Sequence, residues 1–320
     1  MNPKNDYQSA RLLSRVLTYY YVENKNQGEI GKMLHLSTAK VNRILKYARQ
    51  QGMVEIRIHA PFQHIFELER LLEDKTGVRQ AVVVPTLIDN YEAVLENVGQ
   101  AAADYLLSHL RDGDTIAMGG GQFVSSTVQA FFSDKTFPVK VVPAIGGVQG
   151  RHFTDVNNLA AELAQKLGGE SLQLHAPAFV NNQEERDILL STSHVTEILG
   201  MARKAQIIIL GIGALDETGG SSYLHFNKVT DTELHEIIHD HHGIGELLSQ
   251  VLNAAGELCA LPYANRVVGI NLQEMKAIPL RVGVAAGAHK VRPIVAALRG
   301  GFLQTLITDE ITAREIIKIY

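Results

Sequence analysis

The chain has 320 residues, 46% of them hydrophobic, which is enough for a small domain and a large one, each with its own core. Its net charge is −4, and its single cysteine, Cys259, excludes an intramolecular disulfide framework. No apolar run approaches the roughly 20 residues of a membrane span, and the N-terminal stretch lacks the apolar core of a signal peptide. We therefore expect a cytoplasmic protein.

Residues 1–58 predict an all-α helix-turn-helix domain. Ser9–Val22 has the apolar spacing of a supporting helix, and two further helical patterns follow within residues 27–50. Gly31 is small enough for the two helices to cross closely, and Ser37 can cap the second one. The apolar residues of the two helices are Ile30, Met33 and Leu34, and then Val41, Ile44, Leu45 and Ala48.

The same segment is a basic island on an acidic chain. Residues 25–50 contain six lysines and arginines and one glutamate, a net charge of +5, so the remainder carries −9. Such an island is typical of a DNA-binding module, although an ordinary solvated helical hairpin is the alternative. The candidate DNA-binding residues are Ser37, Thr38, Lys40, Asn42, Arg43 and Lys46.

Residues 59–78 are predicted to connect the two domains. Before them, Met53–His59 alternates apolar and polar residues, which predicts a short strand, of the kind that forms a wing, that ends at Pro61. A helical pattern follows over Phe62–Lys75, with an apolar stripe at residues 65, 68 and 72. The helix either packs on its own domain or joins two subunits. We predict a role in oligomerisation, because operators usually have two-fold symmetry.

Residues 79–320 alternate apolar runs with helical patterns, which predicts a doubly wound, Rossmann-like α/β effector domain. The predicted parallel strands are Ala81–Val84, Thr115–Met118, Val139–Val142, Ile207–Leu210, Val267–Ile270, Val282–Ala285 and Thr305–Ile307. The clearest predicted helices are Glu92–Leu110, Asn157–Leu167 and Val291–Arg299.

Glycine-rich turns follow several of these strands, at the edge of the sheet where such folds bind ligands. Residues 119–121 are three consecutive glycines before a helix, 146–147 and 211–213 contain further glycines, and 287–290 ends in Lys290. Backbone amides at a helix N-terminus bind anions, and a lysine neutralises them. We therefore expect a phosphorylated small ligand. The alternative is that these are only tight strand-to-helix turns.

Several of these segments resemble the SorC family of bacterial transcriptional regulators, over about residues 10–319. They are the helix-turn-helix followed by ARQQGMVEIRI, then DGDTIAMGGG, ILGIGAL, HGIGELLSQVLNAAGEL and RVGVAAGAHKVRPIVAALRGGFLQTLITDEITA. The last segment is the most specific, because its order of strand, glycine turn, lysine, helix, strand and aspartate is unlikely to arise by chance.

The resemblance implies a fold like that of sugar-phosphate isomerases and a regulator that binds operator DNA as a homodimer or homotetramer. It also implies a phosphorylated sugar or polyol effector. We expect no cofactor, no metal and no membrane partner. By the same resemblance, Glu246 accepts from ligand hydroxyls and Lys290 reaches the phosphate or ring oxygens. The full set of effector-binding residues that it implies is Gly120, Gly121, Gln122, Phe123, Gly146, Gly147, Glu246 and Lys290.

The chain departs from the family pattern at several positions. Thr38 and Asn42 replace the arginine and serine that are frequent in family recognition helices, so the operator sequence cannot be inferred. The first loop, Gly119–Gly121, lacks the aromatic residue that is frequent there. Ile145 occupies the position where one branch has a lysine that forms an imine, so we expect no covalent imine at this position.

His235–His239 matches HExxH, a pattern of zinc peptidases. The extended form of the pattern needs a glycine and a third histidine, and those positions hold His242 and Gly245. We therefore expect no catalytic zinc, and adventitious metal binding is the more plausible alternative.

The sequence leaves two classes of function open. One is a ligand-gated regulator; the other is a sugar-phosphate isomerase or deaminase with an appended DNA-binding domain. An isomerase needs a carboxylate base beside the substrate carbon. The nominal candidates are Asp112, Asp114, Asp155 and Asp309, but no enzyme motif surrounds them. We therefore expect no enzymatic activity.

Overall fold

The computed structural model describes residues 3–55, 61–87, 90–148, 155–215 and 229–320. The chain forms two compact units, Met1–Pro61 and Phe62–Tyr320. This boundary lies three residues beyond the predicted end of the DNA-binding domain, and it places the helix of the predicted connector in the larger unit. Within the described ranges, no helix combines the length and the apolar character needed to cross a membrane.

The smaller unit contains the predicted three helices. They are α1 Pro3–Leu17, which continues into a π-helical turn over Thr18–Val22, α2 Gln27–Leu34 and α3 Thr38–Gln50. Val16, Ile30, Val41 and Leu45 form a core that is fully buried. Met33 was wrongly predicted to face this core: it lies on the outer side of α2 and is 46% exposed.

The turn between α2 and α3 depends on close contact between backbones. His35 ends α2 in the left-handed conformation, with φ of 55°. A Cβ atom on Gly31 would lie 2.7 Å from the carbonyl oxygen of Leu36, so only glycine fits there without movement of the backbone. The Ser37 hydroxyl accepts from the amide of Lys40 at 3.2 Å, which caps α3 as predicted.

The predicted strand Met53–His59 is only partly tested. Residues 53–55 follow α3 and form no strand. Residues 56–60 lie outside the described residues, so the prediction of a wing stays open.

The larger unit is built on a parallel sheet of seven strands, in the order β1-β10-β9-β5-β2-β3-β4. A second, antiparallel sheet has the order β6-β7-β8. The strands are β1 Gln80–Val84, β2 Thr115–Met118, β3 Lys140–Pro143, β4 Glu170–Ser171, β5 Ile207–Gly211, β6 Gly213–Ala214, β7 Gly245–Leu247, β8 Gln250–Leu252, β9 Leu280–Val284 and β10 Thr305–Asp309.

Helices connect these strands, and the predicted doubly wound architecture is confirmed. They are α4 Gln63–Thr76, α5 Tyr91–His109, α6 Gln122–Ala130, α7 Val156–Leu167, α8 Gln183–Ser191, α9 Ser193–Arg203, α10 Asp231–His235, α11 Leu261–Ala264, α12 Leu272–Lys276, α13 Val291–Arg299 and α14 Glu310–Ile319.

One predicted strand is wrong and one sheet was not predicted. The run Val267–Ile270 is largely buried, but it forms only isolated bridges, Val267 with Phe179 and Gly269 with Ile145. Burial therefore explains its apolar composition without a place in the main sheet. The small antiparallel sheet escaped prediction because its strands are only two or three residues long.

Helix α4 covers the outer edge of the main sheet. Its stripe Ile65, Leu68 and Leu72 is buried within the larger unit, which matches the alternative of a helix packed on its own domain. Glu69 and Glu73 accept from the amides of Val83 and Ala81, each at 2.9 Å. These amides belong to β1, which is the edge strand, and an edge strand otherwise offers unpaired donors to another chain.

The pKa of Glu69 is raised by its burial and by the neighbouring Glu73 carboxylate, against the lowering effect of the hydrogen bond from Val83. This carboxylate therefore remains close to the sheet at some cost in desolvation. The Glu69 carboxylate stabilises the fold through its hydrogen bond with the edge strand and not through its charge.

We predict that the double substitution Glu69→Ala and Glu73→Ala lowers the free energy of unfolding by about 1–3 kcal/mol, because the amides of two buried residues, Ala81 and Val83, lose their acceptors. Hydrogen exchange at Ala81 and Val83 should quicken. Glu69→Gln with Glu73→Gln keeps both carbonyl acceptors and should leave exchange at these amides unchanged. Glu67→Ala, on the exposed side of the same helix, is the matched control. Unchanged exchange in the alanine variant would contradict this account of the edge.

Candidate functional site

A cavity of about 210 Å³ lies at the carboxyl ends of β2, β5 and β9. These three strands are neighbours in the middle of the main sheet, and turns that follow them meet here. Side chains of the small antiparallel sheet form part of its lining. The predicted effector residues that line the cavity are Gly120, Gly121, Gln122, Phe123, Glu246 and Lys290.

The three-glycine loop brings the start of α6 to the cavity. Gly121 precedes the helix with φ of 116°, a conformation that residues with a side chain rarely adopt, and no side chain caps this end. The first amides of a helix have no partner inside the helix. Gly119, at the base of the loop, packs closely against Leu210 and Leu248. The loop therefore presents polar backbone to a ligand of this cavity.

Glu246 is the buried carboxylate of the site. It lies on β7, is 7% exposed and faces Gly213 of β6 across the antiparallel pair. Its Oε2 accepts from the amide of Ser249 at 2.7 Å. A Cβ atom on Gly213 would collide with the Glu246 side chain, so this glycine provides the space that the carboxylate occupies.

Lys290 lies near the same small sheet, although it comes from a later part of the chain, after β9. It ends a short 3-10 turn, Ala288–Lys290, that follows Gly287, whose φ is 109°. Its Nζ donates to the carbonyl oxygen of Ile212 at 2.8 Å. Because Ile212 directly precedes Gly213, both Lys290 and Glu246 are tied to the segment that links β5 to β6.

The second predicted glycine turn does not form part of the lining. Gly146 donates its amide to Val268, and Gly147 donates its amide to Ala176. A Cβ atom on Gly146 would overlap the backbone at Pro177. Gly146 thus allows close backbone packing, whereas a Cβ atom on Gly147 would meet the side chains of Asp155 and Asn157. From this turn only Ile145 is among the described residues that line the cavity.

The structure adds residues that sequence reasoning missed. Tyr91 lies at the start of α5 and donates its hydroxyl to Gln122 Oε1 at 2.7 Å. Leu248 and Ser249 form the two-residue turn between β7 and β8, both left-handed, with φ of 49° and 60°. Such turns usually carry Asn-Gly or similar pairs, so Leu-Ser gave no signal of a hairpin.

The lining combines many donors with one buried acidic side chain. Lys290, the Gln122 carboxamide and the amides at the start of α6 are donors, and Glu246 is an acceptor. This set can bind a small anion that also carries hydroxyl groups. None of the four nominal catalytic aspartates lines the cavity. Two of them cap helices instead, Asp155 at α7 and Asp309 at α14.

The six candidate DNA-binding residues are exposed on the smaller unit. Ser37 lies at the N-cap of α3, and the others project from the helix between the buried positions of its inner face. The helix therefore buries one side and presents a polar, basic side to solvent.

The histidine-rich segment has an irregular helix. Helix α10 ends at His235 and a π-helical turn covers Glu236–Asp240. The rings of His235 and His239 are tilted against each other with centroids 4.2 Å apart. In the part of the chain that the structure describes, no three His, Cys, Asp or Glu side chains come together as metal ligands.

Comparison with known proteins gives two family matches. A family described as "Putative sugar-binding domain" matches residues 60–318, and one described as "Sigma-70, region 4" matches residues 13–51. Together these matches cover both units of the chain.

Full-length relatives are similar throughout. The chain is 29% identical over 313 residues to the transcriptional regulator LsrR of Enterobacter sp. (strain 638), covering 96% of this chain and 93% of the relative. It is 27% identical over 318 residues to the deoxyribonucleoside regulator of Bacillus subtilis (strain 168), covering 98% and 99%. The crystal structure of the full-length sorbitol operon regulator SorC from Klebsiella pneumoniae superposes with a TM-score of 0.76 at 26% identity, covering 97% and 99%.

We predict that Gly213→Ala displaces the Glu246 side chain and breaks its hydrogen bond with Ser249, at a cost of about 1–2 kcal/mol in the free energy of unfolding. Gly200→Ala is the control, because Gly200 lies inside α9 with open space around it. This substitution should stabilise the helix by about 0.5–1 kcal/mol. Urea unfolding of the two variants checks the prediction. Equal stabilisation by both substitutions would show that Gly213 does not make room for the carboxylate.

Proposed function

The chain belongs to the SorC family of bacterial transcriptional regulators, and we propose that it binds operator DNA under the control of a small phosphorylated sugar or polyol. The observation that carries this proposal is the cavity, in which the α6 N-terminus, Glu246 and Lys290 come together. The smaller unit supplies the DNA-binding surface. The protein is thus a ligand-responsive DNA-binding regulator that acts in the cytoplasm.

The proposed DNA contact is the outward side of α3. Lys40, Arg43 and Lys46 are donors for phosphates, while Asn42 and Arg43 can also bind base edges in a major groove. Ser37 and Thr38 lie at the start of the helix, where its amides also favour a phosphate. Because operators usually contain two half-sites, the protein would act as a homodimer or homotetramer.

The proposed effector carries both a phosphate and hydroxyl groups. The uncapped start of α6 and the ammonium of Lys290 favour an anion. The Glu246 carboxylate favours hydroxyl donors and disfavours a second negative charge beside it. A sugar or polyol phosphate meets both requirements, whereas a dicarboxylate or a hydrophobic ligand does not.

A regulator explains the site better than a sugar-phosphate isomerase. The relatives are named as regulators, and none of the four nominal aspartate bases is among the residues that line the cavity. Glu246 is a buried carboxylate held by a backbone amide, which suits the binding of hydroxyl groups. We therefore propose no catalytic activity and no cofactor.

The effector would act by shifting the population of subunit arrangements that can hold two half-sites. Coupling between the two ligands must be reciprocal. An effector that weakens operator binding therefore binds more weakly to the DNA complex, by the same factor.

A thermal-shift screen with sugar and polyol phosphates, followed by operator binding with each hit, tests the proposal. A ligand that raises the melting temperature and changes operator affinity without being consumed supports a regulator. Turnover of a sugar phosphate by the pure protein would favour the enzyme instead.

We predict that Lys290→Ala abolishes the response of operator binding to the effector and leaves operator affinity itself unchanged, because Lys290 lines the cavity and belongs to the larger unit. Lys140→Ala removes the same charge from an exposed position at the start of β3 and serves as the control. Fluorescence anisotropy with labelled operator, with and without effector, measures both quantities. Loss of operator affinity in the Lys290 variant would contradict the proposed division of roles.

We predict the reverse for Arg43→Ala, which should weaken operator binding by about 1–3 kcal/mol if Arg43 contacts a base, with effector binding unchanged. Arg43→Lys keeps the charge but loses the two-pronged geometry, so it separates base recognition from phosphate contact. Competition with non-specific DNA at fixed salt provides the measurement. Wild-type specificity in both variants would exclude a base contact by Arg43.

A further inference from the structure

Tyr91 joins two elements at the cavity. It is the first residue of α5, where the Asn90 side chain caps the helix by accepting from the amides of Glu92 and Ala93. Its ring contacts Phe123 edge to face, with centroids 6.4 Å apart. Its hydroxyl donates to Gln122 Oε1 at 2.7 Å, and Tyr91, Gln122 and Phe123 all line the cavity. The first residues of α5 and α6 are thus connected by a side-chain hydrogen bond.

The direction of this hydrogen bond determines which end of the Gln122 carboxamide serves a ligand. A free glutamine can turn either its carbonyl oxygen or its NH2 group toward a partner. Because the Tyr91 hydroxyl donates to Oε1, the carbonyl oxygen is engaged, and the carboxamide offers its two N–H groups. This hydrogen bond therefore orients the Gln122 carboxamide so that its NH2 group is the part that can donate to a ligand.

The surroundings strengthen this arrangement. Gln122 is the first residue of α6, next to helix amides that are also donors. Partial burial raises the pKa of Tyr91 further above neutrality than that of a free phenol, so the hydroxyl remains a donor in the neutral range. The edge-to-face contact with Phe123 restricts the Tyr91 ring, which keeps the hydroxyl beside Gln122.

We propose that Tyr91 is a specificity-determining positioning residue, which holds the Gln122 carboxamide as a donor for the acceptor-only oxygens of a phosphate group at the start of α6. This inference rests on the proposed function, because it assigns the phosphate end of the proposed effector. It also predicts which end of the effector lies where: hydroxyl groups face Glu246, and the phosphate lies between Gln122 and the α6 amides.

The test uses the full-length protein and inorganic phosphate as the probe, with binding measured by phosphorus NMR titration and by thermal shift. Tyr91→Phe keeps the ring and its contact with Phe123 and removes only the hydroxyl. We expect it to weaken phosphate binding about fivefold, which is the usual effect of one lost hydrogen bond. Tyr105→Phe is the matched control, because the Tyr105 hydroxyl bonds Thr305 at 2.9 Å at β10, away from the lining. It should leave phosphate binding within about twofold of wild type.

A double-mutant cycle separates positioning from a general structural effect. If Tyr91 acts through Gln122, then Tyr91→Phe has no further effect on phosphate binding once Gln122→Ala is present. Glucitol, which has hydroxyl groups but no phosphate, gives a second readout. Its binding should not change in Tyr91→Phe, whereas a general loss of cavity shape would weaken glucitol and phosphate alike.

The outcomes distinguish this inference from the function on which it rests. If wild-type protein binds neither phosphate nor sugar phosphates, the proposed effector class is wrong and this inference falls with it. If wild type binds phosphate and Tyr91→Phe binds it equally well, only the role of Tyr91 is overturned. An additive effect of Tyr91→Phe and Gln122→Ala would also overturn it, because the two residues would then act separately.

Discussion

The site depends on a buried carboxylate packed against a residue that has no side chain. Glu246 lies opposite Gly213, and the space that a Cβ atom would fill there is occupied by the Glu246 side chain. The amide of Ser249 compensates part of the cost of burying the carboxylate. This pairing joins β6 to β7 of the small antiparallel sheet and places a hydrogen-bond acceptor in the lining of the cavity.

The carboxyl ends of the main sheet's middle strands and the lateral edge of the sheet serve different purposes. At the carboxyl ends, glycines with positive φ at 121 and 287 let helices start beside the cavity without a side chain in the way. At the edge of the sheet, α4 closes β1 with two carboxylates from successive turns. Helix α4 is also the first element of the larger unit, so that unit begins with the helix that pairs with the edge strand of its own sheet.

Local patterns predicted most of the fold. The strand and helix boundaries of β2, α7 and α13 agree within one residue, because continuous apolar runs and 3.6-residue periodicity depend only on neighbours in the sequence. The same reasoning failed at Val267–Ile270, where burial is real but the partners are isolated bridges. It also left open which surface covers the stripe at Ile65, Leu68 and Leu72, because the pattern shows only that one side of the helix is buried.

Local sequence patterns were enough to predict the architecture, the basic recognition helix and the glycine turns at strand ends, because each depends on residues that are close together along the chain. Which of those turns share a cavity depends on contacts between distant residues, and these became visible only in the folded chain. The fold brings Gln122, Glu246 and Lys290 together, pairs the amides of Gly146 and Gly147 with backbone carbonyls, and places Tyr91 against Gln122. Those pairings join residues 29 or more positions apart, and their geometry follows from strand order and hairpin turns, which composition and periodicity do not encode.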